Sequence, residues 1–254
     1  MSFTSDVKEE LSRVEPVCSH CDRAQLAAII RIEGTLFFSG KNRYRVEVAT
    51  DTPSVARLVI RLVHEIYGLK TELTVRRSVL HQTPNYLINI PVQPKLAEAL
   101  VDLGVLGEDG LELGIKPSLV NKQCCAAAYL RGAFLGSGFV SNPRGDFHFE
   151  ITVESEPLAN GLVELMAEKG IAARVQQRRN SYMVYLKSGE ASAHRPEESS
   201  ARRYHAGQGF RHSRYHRPQY RRQDRLYQDF GSTLNDGDVR SDDPRGRPQR
   251  DIRL

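Results

Sequence analysis

A chain of 254 residues suffices for one large domain or two ordinary ones, and its 40% hydrophobic content without any tryptophan suits a globular core. No stretch approaches the roughly 18 uninterrupted apolar residues of a membrane span, and the first ten residues lack a signal peptide's apolar run, so a cytoplasmic protein with no membrane partner is expected. The net charge of +5 is uneven: residues 191–254 hold fourteen Arg, no Lys and nine Asp or Glu, leaving 22 basic and 22 acidic groups in residues 1–190, so overall basicity is no argument that the folded part binds DNA.

In chain order, Ser5 or Asp6 is placed to cap a short amphipathic helix carrying Val7, Leu11 and Val14. Next comes Cys18-Ser19-His20-Cys21, which with Cys124-Cys125 accounts for all four cysteines. A C-x-x-C with a distant pair could bind zinc or cycle redox. The vicinal pair is poor geometry for a tetrahedral site, so ordinary reduced thiols are expected and no metal or cofactor is assigned.

A helix from Arg23 to Gly34 follows, then a strand from Tyr44 to Thr50. Pro53 opens a helix from Ser54 to Tyr67 that closes near Gly68. Two strands, Lys70 to Arg77 and Tyr86 to Ile90, precede a closing helix from Lys95 to Leu103. The same order recurs about 104 residues later. Ala126 to Gly138 answers the first helix, Phe147 to Val153 the first strand, and Pro157 opens a helix from Leu158 to Lys169 that ends near Gly170. Strands Ala172 to Arg179 and Tyr182 to Leu186 complete the repeat. The expected fold is therefore α+β, a duplicated αββαββ(α) repeat with two antiparallel sheets. The expected units are an N-terminal helix (1–17), a first repeat (18–104), a linker (105–121), an incomplete second repeat (122–188) and a tail (189–254). The tail holds few Leu, Ile or Val residues and is expected to be disordered, because so little apolar surface cannot offset the roughly 1–2 kcal/mol per residue that ordering a backbone costs.

Leu26-Ala27-Ala28-Ile29-Ile30-Arg31-Ile32-Glu33-Gly34 and Leu130-Arg131-Gly132-Ala133-Phe134-Leu135-Gly136-Ser137-Gly138 resemble the paired motif helices of the LAGLIDADG fold. The resemblance implies that the helices pack through Ala27, Ala28, Gly34, Gly132 and Gly136, between two saddle-shaped sheets. It also places Glu33 and Ser137 where the nuclease ancestors carry metal-binding acids. Ser137 is a neutral hydroxyl and a poor divalent-cation ligand, so Glu33 and Ser137 read as a vestigial metal position without catalysis. The opening Ser2 to Leu11, the paired cysteines and Ala128-Tyr129-Leu130-Arg131-Gly132-Ala133-Phe134-Leu135 are similar to the WhiA family over about residues 1–188.

That resemblance implies a non-catalytic DNA-binding transcription regulator of Gram-positive bacteria. Such regulators act in sporulation, cell division and chromosome segregation, and the resemblance implies a protein at the nucleoid. Its implied partners are double-stranded promoter DNA and another transcription regulator. WhiA proteins continue into a helix-turn-helix domain, and none is recognisable after Ser188-Gly189-Glu190, which suggests truncation by a shifted reading frame. Strand alternation turns Arg43, Arg45 and Glu47 outward from Tyr44, Val46 and Val48. It likewise turns Arg76 outward from Leu73 and Val75, and Arg174, Gln176 and Arg178 outward from Val175 and Gln177. The candidate DNA contacts are Arg43, Arg45, Arg76, Arg77, Arg174, Arg178 and Arg179. The competing readings are a residual Mg-dependent endonuclease and a module that docks a protein or small ligand.

Overall fold

The computed structural model describes residues 2–40, 43–77, 84–108, 110–142 and 147–186. The expectations for the tail lie outside the described residues.

Two four-stranded antiparallel sheets are built the same way. After the N-terminal helix α1 (Phe3–Leu11), the first repeat runs α2 (Cys21–Glu33), β1 (Gly34–Phe38), β2 (Tyr44–Thr50), α3 (Pro53–Tyr67), β3 (Glu72–Arg77) and β4 (Pro84–Ile90), closed by α4 (Leu96–Asp102). The segment expected as a linker carries a short hairpin, β5 (Leu106–Gly107) with β6 (Gly110–Leu111), and one helical turn, α5 (Pro117–Val120). The second repeat runs α6 (Gln123–Ser137), β7 (Gly138–Val140), β8 (Phe149–Val153), α7 (Glu156–Ala167), β9 (Ala173–Arg178) and β10 (Ser181–Leu186). Strand order is β1-β2-β4-β3 in one sheet and β7-β8-β10-β9 in the other. The duplicated αββαββ architecture expected from the repeat is present.

Each sheet buries one face. Val46, Val48, Ile88 and Ile90 line the first core, and Phe149, Ile151, Val153 and Val184 the second. Helix α3 covers the first sheet and α7 the second. Gly68 takes a left-handed φ of 65° as the cap of α3, and Gly170 does so (φ 74°) two residues beyond the α7 cap, Glu168.

Helices α2 and α6 form the centre, side by side and parallel. Residues Cys124 to Gly136 of α6 are all buried, as a helix that is apolar on every side must be. The backbones meet where α6 has no side chain. A Cβ on Gly132 would lie 2.3 Å from the Gln25 carbonyl oxygen and 2.9 Å from Ala28 Cβ. One on Gly136 would touch Ile32 and Glu33 at 3.2–3.3 Å. The buried Arg131 guanidinium donates to Gln25 Oε1 (3.2 Å) across the same seam. Gly34 does not lie in this seam. It caps α2 and begins β1, and its tight neighbour is the Ile30 carbonyl of its own helix, at 2.2 Å from a built Cβ.

Three further expectations change. Ser2, not Ser5 or Asp6, caps α1 by accepting from the Ser5 amide (3.2 Å), and the helix ends before Val14. Helices α2 and α6 stop one residue earlier than expected, because Gly34 and Gly138 already pair with Val48 and Ile151 as strand residues. Leu73 and Val75 are about half exposed. They share a face with Ile88 and Tyr86, but β3 is the edge strand of its sheet.

Helix α1 crosses between the repeats. It packs on α3 of the first and on α6 and β7 of the second. Thr4 Oγ1 donates to the Val140 carbonyl (2.8 Å) and accepts from its amide (3.2 Å).

Replacing Gly132 by Ala forces the helix pair apart. Overpacking of this kind costs about 1–3 kcal/mol, so the thermal midpoint of G132A should fall by roughly 2–12 °C for a protein of this size. Differential scanning calorimetry reads the shift, and an unchanged midpoint would contradict the close approach.

Candidate nucleic-acid interface and the helix-end pocket

Both central helices end at one pocket of about 740 Å³, lined by Ile32, Glu33, Ser137, Thr152, Glu154 and the β9–β10 turn Arg178-Arg179-Asn180-Ser181. Glu33 is the last residue of α2 and Ser137 the last of α6, so the helix pairing brings together the two positions singled out in the sequence. Their chemistry differs. The Ser137 hydroxyl donates to the Thr152 carbonyl and is committed to the second sheet. Burial pushes the Glu33 carboxyl above its ordinary pKa. Lys8 pulls it back, and Asp51 and Glu154 push it further up.

Lys8 is the residue that sequence reasoning missed. It is 8% exposed, and its ammonium donates to the Gly136 carbonyl at 2.8 Å, at the end of α6. Burial lowers its pKa, while Asp51 and Glu33 raise it. A helix C-terminus presents unpaired carbonyls and partial negative charge, which a cation relieves. Here the protein's own amine takes that place. Its signal was a lysine three residues before Leu11 and four after Thr4, on the face that α1 buries. Among the described residues, Glu33 belongs to no group of three or more His, Cys, Asp or Glu side chains gathered to share an ion.

The outward faces of the two sheets follow from the register. In the first sheet Arg45 pairs with Phe37, Glu47 with Asn89, and Arg76 with Asn85, and Arg43 continues the outward set. Arg43 and Arg76 are exposed. Arg45 is engaged: it ion-pairs with Glu47, and its guanidinium lies 3.9 Å over the Phe37 ring. Arg77 is exposed but falls on the helix-side face by alternation, opposite Pro84. In the second sheet Arg174 pairs with Tyr185, Gln176 with Met183 and Arg178 with Ser181, on the same face as Glu150 and Thr152. Glu150 is bridged to His148 at 2.9 Å. Arg179 follows in the left-handed conformation (φ 48°) and rims the helix-end pocket with Arg178. Both outward faces carry mixed charge, with exposed guanidiniums above polar amides.

This arrangement is matched by known proteins. Residues 19–106 match the model of the WhiA N-terminal LAGLIDADG-like domain, and residues 126–193 that of the WhiA LAGLIDADG-like domain. The chain belongs to the WhiA family. A relative from Desulforamulus reducens, named "Probable cell division protein WhiA", is 40% identical over 193 residues, or 75% of this chain and 60% of the relative. One of the same name from Heliobacterium modesticaldum is 39% identical over 192 residues, with the same coverages. The chain thus spans about three fifths of the length of these WhiA relatives. Full-length DUF199/WhiA from T. maritima superposes with a TM-score of 0.57 at 20% identity, covering 75% of this chain and 58% of that one. The N-terminal LAGLIDADG domain of DUF199/WhiA superposes with a TM-score of 0.55 at 20% identity, covering 73% and 86%. The shared fold is the LAGLIDADG-like one. Among the described residues no helix is long and apolar enough to cross a membrane.

The raised Glu33 pKa has a sign. A carboxyl whose folded pKa lies above its unfolded value adds stability below the ordinary carboxylate range and loses it as pH rises through the folded value. Glu33→Gln mimics the protonated form, so E33Q should match the parent's thermal midpoint near pH 4 and exceed it near pH 7. An E33Q protein less stable than the parent at pH 7 would contradict this electrostatic account.

Proposed function

We propose that this WhiA protein binds double-stranded DNA and regulates transcription without cleaving its target. The observation that carries the reading is the Lys8 ammonium seated at the end of α6 beside Glu33, with Ser137 committed to Thr152. Hydrolysis by two metal ions needs hard oxygen ligands converging from both helix ends. Here one helix supplies a single carboxylate, the other supplies none, and a fixed amine stands among the acids.

DNA binding is supported by the outward faces. Antiparallel strands can lie in the major groove, where guanidiniums hold phosphates or guanine edges and amides read adenine. Arg43, Arg76, Arg174, Arg178 and Arg179 are the proposed phosphate contacts, and Asn85 and Gln176 the proposed readers, while the Asn89 amide is bonded to Glu72. Arg45 joins them only by giving up Glu47, and Arg77 only from the rim of the sheet. The relatives' name ties the family to cell division. Roles in sporulation and chromosome segregation, promoter targets, a second regulator as partner and a place at the nucleoid all belong to this proposal.

The test is salt-dependent DNA affinity of the full chain and of an R76A/R174A/R178A variant. Every guanidinium removed from a phosphate should reduce the slope of log K against log salt by about one and weaken binding to all sequences alike. An unchanged slope would place the DNA elsewhere, the Arg-rich residues 191–254 being the alternative surface.

A further inference from the structure

At the end of the α2–α6 pair opposite Glu33 and Ser137, all four cysteines meet. Cys18 Sγ lies 3.4 Å from Cys21 Sγ and 3.6 Å from both Cys125 Sγ and Cys124 Sγ. All four sulfurs lie within 4.8 Å of one another, and none is in a disulfide. Cys21, Cys124 and Cys125 are buried and Cys18 is partly exposed, which leaves one side open for an ion to enter.

We propose that these four thiolates hold one structural zinc ion, which ties the two LAGLIDADG-like repeats together at the N-terminal ends of their central helices. Zinc–thiolate bonds of about 2.3 Å in a tetrahedron require sulfur–sulfur edges of about 3.8 Å. The cluster is already at that scale. All-sulfur tetrahedral coordination selects zinc or iron over the hard cations. Taking up Zn²⁺ releases the four thiol protons and forms four zinc–sulfur bonds, with no change in oxidation state.

The local folding explains the geometry. Cys18 and Cys21 span the turn entering α2, where the Cys21 amide donates to the Cys18 carbonyl (3.0 Å). Cys124 and Cys125 lie in the first turn of α6, and both reach Cys18. Adjacent cysteines make a poor tetrahedral edge in an extended chain. The first turn of a helix corrects this by pointing both toward a partner in front of it. The site's net charge of −2 also has compensation. Two helix N-termini face it, and the buried Arg131 guanidinium interacts with Cys21.

The experiment is metal analysis of the full chain purified under reducing conditions without chelator, with inductively coupled plasma mass spectrometry read against protein concentration. One equivalent of zinc per chain is expected. It should fall to near zero in Cys18→Ser and again in Cys125→Ser. Because either variant could fold poorly, the parent protein supplies the second readout. Stripping it with a chelator should lower its thermal midpoint, and Zn²⁺ should restore it. Co²⁺ should bind in a 1:1 ratio, with the visible absorption of a tetrahedral thiolate site. Failure to hold or take up zinc or cobalt, a stoichiometric iron content, or fewer than four titratable thiols in the stripped reduced protein would each overturn the proposal.

Discussion

The whole molecule is arranged around one backbone contact, α6 lying directly on the Gln25 carbonyl of α2 where Gly132 offers no side chain. At that separation even a methyl group at position 132 would overlap the α2 backbone and Ala28, and α6 is sealed from water along nearly its full length. The one charged side chain this encloses, Arg131, finds its acceptor on the opposite helix at Gln25. Each sheet starts at the residue after its central helix, at Gly34 and Gly138, so the helix spacing also fixes how the two outward faces are presented. The contact thus carries consequences from core packing to the surface proposed for DNA.

The two parallel helices leave two ends of opposite polarity, and the sequence treats each accordingly. Partial positive charge at the N-termini meets four thiols, and partial negative charge at the C-termini meets a lysine amine. The C-terminal end also explains why α1 matters. Lys8 and Thr4 lie one turn apart on α1 and anchor it to Gly136 and Val140 of the second repeat. A segment that looks like an appendage therefore supplies the charge at the C-terminal end of the helix pair, and it couples the first residues of the chain to the second half.

Much of this was legible in the sequence because the repeat copies its punctuation as well as its pattern. Pro53 and Pro157 open equivalent helices, Gly68 and Gly170 follow their ends, and strand alternation assigned the inward residues of β2 correctly. Pattern alone failed where position in the sheet decides burial. Leu73 and Val75 alternate as core residues do, but on an edge strand they stay about half exposed. It failed again where chemistry depends on residues far apart in the chain. Lys8 acts on Gly136, and Cys18 meets a pair more than a hundred residues away. Only the parallel pairing of α2 and α6 creates these neighbours, and local periodicity does not encode their meeting.

The central claim is that a LAGLIDADG-like helix pair carries a fixed amine at its C-terminal end, so that the sheets proposed to bind DNA do so without cleaving it. The most direct measurement is incubation of the full chain at DNA-saturating concentration with supercoiled plasmid in Mg²⁺ and in Mn²⁺. Electrophoresis before and after protein removal separates binding from cleavage. The account predicts retarded plasmid that returns wholly to the supercoiled form once the protein is removed. Nicked or linear product that disappears with Glu33→Ala would contradict it.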